Sequence, residues 1–357
     1  MSGNWKRADL HLHTSLSGWR SLHLIDPQDC YVSPEAAFRT ARARGMDFVC
    51  FTDHNTIDGA MEFLSRHPEE EPRVIAGEEV ETWFPDSSQW LHVNVYGVDE
   101  RLHGDLARLR SNCFEMIAEL KRRRTFFVLN HPFQSFRSIR AARQHLSAVL
   151  PLFPAVEVAN SASPRGHEQV LRTLLDHGGW GPVSWVGGSD AHTLPRIAAV
   201  YTSAPGATKS EFLHSVRCGV STIGGTNPGL MALVRDVYLV VGEYYRRLYG
   251  GAYPHPARRR LKNILGSGLL APAVLVGVPA LLTILHQLRQ EWIARFGRWV
   301  PDADVSGNVL HSGKVHDFDS APPHRYSPLH KAPRNSWNGR TTMPSVLRVR
   351  GSRLAQR

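Results

Sequence analysis

Between about residue 8 and residue 225, short apolar runs rich in Val, Ile and Phe alternate with longer amphipathic stretches, and this alternation constrains the chain more than any other feature. Such runs suit strands buried on both faces, and the stretches between them repeat their apolar residues at helical spacing, so the pattern is one of successive βα units. Strands are predicted at 8–13, 48–54, 74–81, 91–98, 126–131, 155–160 and 183–190, with a late one at 220–224. Helices are predicted at 34–44, 59–66, 104–124, 138–149, 164–177 and 208–217. An α/β chain of this kind closes most simply into a βα barrel, whose active site lies where strands end and βα loops begin.

Thirteen of the 19 histidines fall in residues 1–226, and the informative ones stand at the predicted strand ends. In Asp9-Leu10-His11-Leu12-His13 the two-residue period of a strand points Asp9, His11 and His13 to one face. In Gly188-Ser189-Asp190-Ala191-His192 the same period pairs Asp190 with His192. Thr52-Asp53-His54, Gly77-Glu78-Glu79, Leu91-His92 and Asn130-His131-Pro132 each add one candidate ligand. Any one of these histidines alone would more often be an ordinary core or surface residue. As a set they are hard to explain without a metal, because each unpaired buried charge costs about several kcal/mol.

Neutral imidazole and carboxylate suit Zn, Mn or Fe, and mixed ligation from many strands implies more than one ion. Clustered ions bind a phosphate, lower the pKa of a bridging water so that hydroxide exists at neutral pH, and neutralise a leaving oxygen. Phosphoester hydrolysis is the natural use.

Asp9-Leu10-His11-Leu12-His13-Thr14, Thr52-Asp53-His54-Asn55-Thr56, Gly77-Glu78-Glu79, His92, His131-Pro132 and Ser189-Asp190-Ala191-His192, in this order, resemble the motifs of the PHP (polymerase and histidinol phosphatase) superfamily over about residues 8–226. The resemblance implies a distorted (β/α)7 barrel with two or three divalent Mn, Zn or Fe ions and phosphoesterase activity. It further implies that His11, His13, Glu79 and Asp190 hold one ion, that Glu79, His92 and His131 hold a second with Glu79 bridging, and that His54 and His192 hold a third. One departure matters: after His-x-His-Thr the family usually continues Ser-Asp-Gly, whereas this chain reads Ser15-Leu16-Ser17-Gly18-Trp19 and puts no carboxylate there. His23 and Asp26 are the candidate substitutes, and the two-ion core is the safer expectation.

Asp53, His54 and His192 are the candidate catalytic residues. Asp53 either orients His54 or acts as an acid/base, or it is a turn residue that caps the next segment. Glu78 reads as structural and Glu81 as a group behind the ligands; Glu157 points into the barrel if Val156 and Val158 point out. Arg165 and Arg196, with Arg137, follow strand ends, where a guanidinium could clamp a phosphate in bidentate fashion, although any one such arginine is more often a solvated loop residue. His103, His145, His167, His177 and His214 sit on predicted helices as ordinary surface groups.

The 357 residues suffice for a large domain with appendages. Of the formal charge of +10, residues 1–226 contribute −2 (23 Lys+Arg against 25 Asp+Glu) and residues 227–357 contribute +12 (19 against 7). Any attraction to nucleic acid would therefore belong to the C-terminal third alone. Residues 230–249 read as an amphipathic helix, and 263–288 carry no formal charge. The apolar core of that stretch, 264–285, is long enough to cross a bilayer, and a buried hairpin of two short helices is the alternative. Six basic residues lie in 246–262, so a span would keep the barrel on the cytoplasmic side. The expected domains are a barrel at 1–226, a helical extension at 227–300, and a disordered basic tail at 301–357. Four scattered cysteines predict reduced thiols, and the start lacks an apolar leader, so a cytoplasmic location is expected, with or without membrane attachment. The function expected is hydrolysis of a small phosphomonoester. The alternatives are a phosphoesterase that trims nucleotides or oligonucleotides from the 5′ end, and a non-catalytic metal-binding module. Beyond the phosphorylated small molecule or nucleotide and the membrane, no partner is implied.

Overall fold

The structure, a computed structural model, describes residues 4–18, 23–85, 87–136, 138–177, 183–251 and 257–296. The tail at 301–357 and Arg137 lie outside these residues. In chain order the elements are β1 (Trp5–Asp9), α1 (Pro34–Ala43), β2 (Phe48–Phe51), α2 (Asp58–Arg66), β3 (Val74–Trp83), β4 (Trp90–Tyr96), α3 (Glu100–Leu109), α4 (Cys113–Arg122) and β5 (Phe127–Leu129). They continue as α5 (Ile139–Val149), β6 (Ala155–Asn160), α6 (Gly166–His177), β7 (Ser184–Gly188), β8 (Val200–Pro205), α7 (Lys209–Arg217), β9 (Thr222–Gly225), α8 (Leu230–Tyr249), α9 (Ala257–Leu275) and α10 (Val278–Phe296).

The strands form one sheet in the order β7-β6-β5-β4-β3-β2-β1-β8-β9. Pairing is parallel for β1/β2, β2/β3, β5/β6 and β6/β7, and antiparallel for β3/β4, β4/β5, β1/β8 and β8/β9. The sheet curls into a nearly closed, distorted α/β barrel. At the seam the Thr202 hydroxyl accepts from the Gly187 amide and donates to the Gly187 carbonyl, both at 2.9 Å. Gly187 is needed for this approach, because a Cβ there would fall 2.7 Å from Ile223 and 2.9 Å from Val200. Ala8, Leu10, Cys50, Ile75, Val128, Ala155 and Val186 form one buried cluster drawn from strands around the ring, and so fill the space the ring encloses.

Three departures from the sequence reading are informative. Strand β8 was not anticipated; its partners are β1 on one side and β9 on the other. The stretch expected as one helix at 104–124 is two, because Asn112 caps α4 through hydrogen bonds from the amides of Phe114 and Glu115. β1 ends at Asp9, and only an isolated bridge from Leu12 to Ala191 follows, so strict alternation does not run on through His13.

The described residues all belong to one unit, Met1–Asp304. Ile293 and Ala294 of α10 are buried in the cluster that also holds Phe127, Phe133 and Val158 of the barrel. α9 and α10 meet at Val276-Gly277, where Gly277 has φ +89°, and they bend by 69°. No single described helix is long and apolar enough to cross a membrane; the bent pair passes that test only when its two arms are taken together. The continuous stretch 264–285 is thus interrupted by the break.

Candidate metal centre

Glu79 lies at the middle of the strand ends. The end of β2 runs beside β3: the Glu79 amide donates to the Asp53 carbonyl, and the Asn55 amide donates to the Glu79 carbonyl. This brings His54 alongside. The Glu79 carboxylate then has five imidazoles around it. Oε2 lies 3.3 Å from His11 Nε2, 3.3 Å from His13 Nε2 and 3.0 Å from His54 Nδ1. Oε1 lies 3.1 Å from both His92 Nδ1 and His131 Nε2. On the far side, Asp190 Oδ1 is 3.5 Å from His11 Nε2, 3.3 Å from His13 Nε2 and 3.6 Å from His192 Nδ1.

All eight residues expected as ligands therefore converge. Ring atoms and carboxylate oxygens come within 4.8 Å of one another in four sets: His11/His13/Glu79, His11/His131/Asp190, His54/Glu79/His92 and His13/His54/His192. Four buried atoms facing the middle, His11 Nε2, His13 Nε2, Glu79 Oε2 and His92 Nδ1, make no hydrogen bond. Buried polar atoms are normally satisfied, so this convergence of unsatisfied imidazole and carboxylate atoms fits divalent cations in its chemistry. His131 and Asp190 adopt positive φ, 25° and 51°, a backbone cost that side chains of this kind bear at functional sites.

The surroundings fix these ligands. Glu157 Oε1 takes His11 Nδ1 at 2.9 Å, while Oε2 accepts from the His131 amide at 3.0 Å and from Asn160 Nδ2 at 2.9 Å. A β-bulge between Glu157 and Ala159 lies next to the centre. Asn130 Nδ2 donates to Glu79 Oε1 at 2.8 Å. Gly188 lies against His11, where a Cβ would fall 2.4 Å from the His11 Cβ.

Charge follows geometry. Burial opposes ionisation of Glu79, but His92, His11 and His54 hold its carboxyl well below the usual range. Burial likewise opposes charge on His13, yet the nearby carboxylates of Asp190 and Glu79 raise it to about 10; Glu79 raises His92 to about 9 in the same way. His192 is pushed down to about 4 by burial and by His13. The cluster is open on one side only: the side chains of His54 and His192 are 13% and 27% exposed, whereas those of His11, His13 and Glu79 are sealed.

Other sequence candidates stand elsewhere. Asp9 does not share a face with His11 and His13: its carboxylate accepts from Ser189 and from the Ala198 amide, and burial raises it to about 6. Asp53 turns to Thr14, accepting from its amide at 2.6 Å and its hydroxyl at 2.8 Å, and so braces the His11–Thr14 segment rather than facing the ligands. Arg196 is only 2% exposed, with Nε on Asp236 at 2.5 Å and Nη1 on the Ser161 carbonyl at 2.5 Å, so it is no solvated loop clamp. Arg165 is held by the Asn227 carbonyl at 3.2 Å. Glu78 pairs with His103 at 2.8 Å, and Glu81 reaches His92 at 3.6 Å. His167 is buried against Phe133 rather than on the surface. Of the proposed substitutes, His23 is exposed and Asp26 bonds Lys262 and Asn263. The carboxylate that does approach is Asp29, with Oδ2 3.5 Å from His54 Nε2. No motif marked it, since it lies in a loop of no regular pattern.

Residues 9–132 match the family model of the PHP domain. An uncharacterised protein of Methanocaldococcus jannaschii is 34% identical over 76 residues, which are 21% of this chain and 44% of that protein, so the match spans less than half of the relative's length. Among solved structures, a two-domain protein of Bacteroides vulgatus, described as containing a predicted PHP-like metal-dependent phosphoesterase, overlaps 66% of this chain and 70% of its own at 15% identity and TM-score 0.43. PsfC of Pseudomonas syringae overlaps 68% of this chain and 98% of its own at 18% identity and TM-score 0.45. His11, His13, His54, Glu79, His92 and His131 all lie within the segment, residues 9–132, that is similar to the PHP domain.

Proposed function

We propose that this centre hydrolyses phosphoesters, with a small phosphomonoester as substrate and Mn, Zn or Fe as the ions. The observation that carries the reading is the single buried carboxylate of Glu79 ringed by five imidazoles at 3.0–3.3 Å, with Asp190 opposite. His11, His13, Glu79 and Asp190 would hold one ion and Glu79, His92 and His131 a second, with Glu79 shared. Bound there, divalent ions supply Lewis acidity and an acidified water.

The chain's own groups do the rest. Glu157, Asn130 and Asn160 fix the rotamers of the ligands, and the sealed floor of His11, His13 and Glu79 keeps bulk water from one side. Substrate enters past His54 and His192. His192 stands at that opening with its ring neutral at pH 7, so it is placed to accept a proton from the attacking water or to ligate a cation there. Asp53 serves by bracing Thr14, and Arg196 by anchoring the loop after β7 on Asp236.

A hydrolysis panel of histidinol phosphate, nucleotide bisphosphates and 5′-phosphorylated oligonucleotides, run with each metal, tests the reading and separates it from 5′-end trimming. Glu79→Gln is expected to lower turnover by about a thousandfold or more, because it removes the bridging charge. No turnover of any member by the metal-loaded wild type would leave a metal-binding module instead.

We also infer where the enzyme works. Leu265, Leu269, Leu275, Val276, Leu281 and Leu282 lie exposed around the elbow of α9 and α10, with Leu275 86% exposed, and exposed Arg258, Arg259, Arg289 and Arg295 flank them. An apolar elbow bordered by cations fits an anionic bilayer surface.

A further inference from the structure

The departure at Ser15–Gly18 leaves the His54/His192 side of the centre without a carboxylate from the usual place. We propose that Asp29 fills this role, forming a third cation position with His54 and His192, and that the C-terminal helices α8 and α9 hold it there. This rests on the metal-centre reading above.

The geometry supports both halves. His13, His54 and His192 already present ring nitrogens within 4.8 Å of one another. Asp29 Oδ2 is 3.5 Å from His54 Nε2, its side chain is only 8% exposed, and its Oδ1 is buried with no hydrogen bond. A buried carboxylate with an unsatisfied oxygen, set beside imidazoles that converge on one point, fits a cation better than a structural ion pair.

Asp29 reaches this point because the chain on both sides of it is pinned by residues more than two hundred positions away. Upstream, the Asp26 amide donates to Asn263 Oδ1 at 2.7 Å, and the Asp26 carboxylate takes Lys262 Nζ at 2.9 Å and Asn263 Nδ2 at 3.4 Å. Asn263 is fully buried and is itself fixed by the Tyr244 hydroxyl at 2.9 Å. Gly266 lets α9 close on this loop, since a Cβ there would fall 2.1 Å from the Leu24 carbonyl oxygen. Downstream, Arg247 of α8 donates to the Tyr31 carbonyl at 2.8 Å and stacks 5.0 Å over its ring. Next to Asp29, Cys30 Sγ bonds the His13 and His192 carbonyls at 3.4 and 3.5 Å, tying the loop to the ligand segments themselves. Asn263 and Arg247 are positioning residues; Asp29 is the ligand.

The test is metal stoichiometry on the full chain, by elemental analysis after equilibration with Mn²⁺ and by calorimetric titration of the metal-free protein. Asp29→Asn, which keeps the side-chain shape, is expected to lose one equivalent relative to wild type and to leave the tighter ions and the metal-free melting temperature unchanged. Asn263→Ala is expected to weaken only the last ion, by about 10- to 100-fold, as loss of a group behind a ligand does. A purely structural role for Asn263 would instead lower the melting temperature and leave the last ion's affinity intact, which would overturn the positioning half. Equal stoichiometry and affinity in wild type and Asp29→Asn would overturn the ligand half and leave the two-ion reading standing. A wild type that binds no metal would overturn both readings.

Discussion

At the scale of single residues, the centre is an arrangement of charges that protons and metal ions compete for. In the metal-free protein Glu79 and Asp190 are ionised, and His13 and His92 hold protons up to about 10 and 9. Metal ligation needs those imidazoles neutral. Binding at pH 7 is therefore expected to release protons, and affinity should climb as pH rises through this range, levelling off only once His92, His13 and His11, which is raised as well, are neutral without metal. Calorimetry at pH 7 in buffers of differing ionisation enthalpy checks this; heats independent of the buffer would mean that the imidazoles are already neutral. The candidate ligands, and their convergence, were legible in the sequence because they stand at strand ends, where a local motif reports them. Asp9 was misplaced because the two-residue period lapses where β1 stops. Asp29 was invisible because its position is set by Asn263 and Arg247, and no local pattern encodes contacts across that separation.

At the scale of elements, the alternation of apolar runs and helical stretches identified most strands and helices, since burial on both faces of a sheet leaves a strong local mark. It missed β8, whose Val-Tyr-Thr-Ser-Ala-Pro run alternates buried and half-buried residues and carries small polar side chains like those of a loop. It merged α3 and α4, because one polar cap interrupts an otherwise continuous periodicity. Glycine marks the tightest junction between element and site. Gly188 ends β7 against His11, and a methyl group there would collide with the His11 Cβ and with Glu157 Oε1 at 2.8 Å. Gly188→Ala is expected to cost about 1–3 kcal/mol of stability by overpacking and to weaken metal binding by displacing His11. Denaturant unfolding of the metal-free and metal-loaded variant measures both effects. An unchanged unfolding midpoint would show that β7 gives way more easily than its contacts imply.

At the scale of the molecule, the extension and the barrel are joined by buried contacts, Ile293 and Ala294 in the barrel's outer core and Asn263 under the Asp26 loop. The sequence offered either a span or a hairpin for 264–285, and composition could not choose, since an apolar helix packed on a protein and one packed in lipid have the same residues. The exposed elbow gives a direct prediction: the full chain is expected to co-sediment with vesicles containing anionic lipid, less so as salt rises, and Leu269→Ser with Leu282→Ser is expected to abolish this. A chain that ignores vesicles but forms concentration-dependent dimers through the same leucines would assign the elbow to a second copy.

The Thr202 hydroxyl that joins β7 to β8 has a mechanical consequence. Beyond it, backbone bonds continue the closure: the Asp190 amide donates to the His11 carbonyl at 2.8 Å and the His13 amide to the Ala191 carbonyl at 3.1 Å, so the joint at Thr202 runs directly into the segments that carry the candidate ligands. The residue after the joint is Gly188, already touching His11. A shift at this joint would thus reach His11 within one residue, so the closure of the barrel and the placement of a candidate ligand are set at the same place.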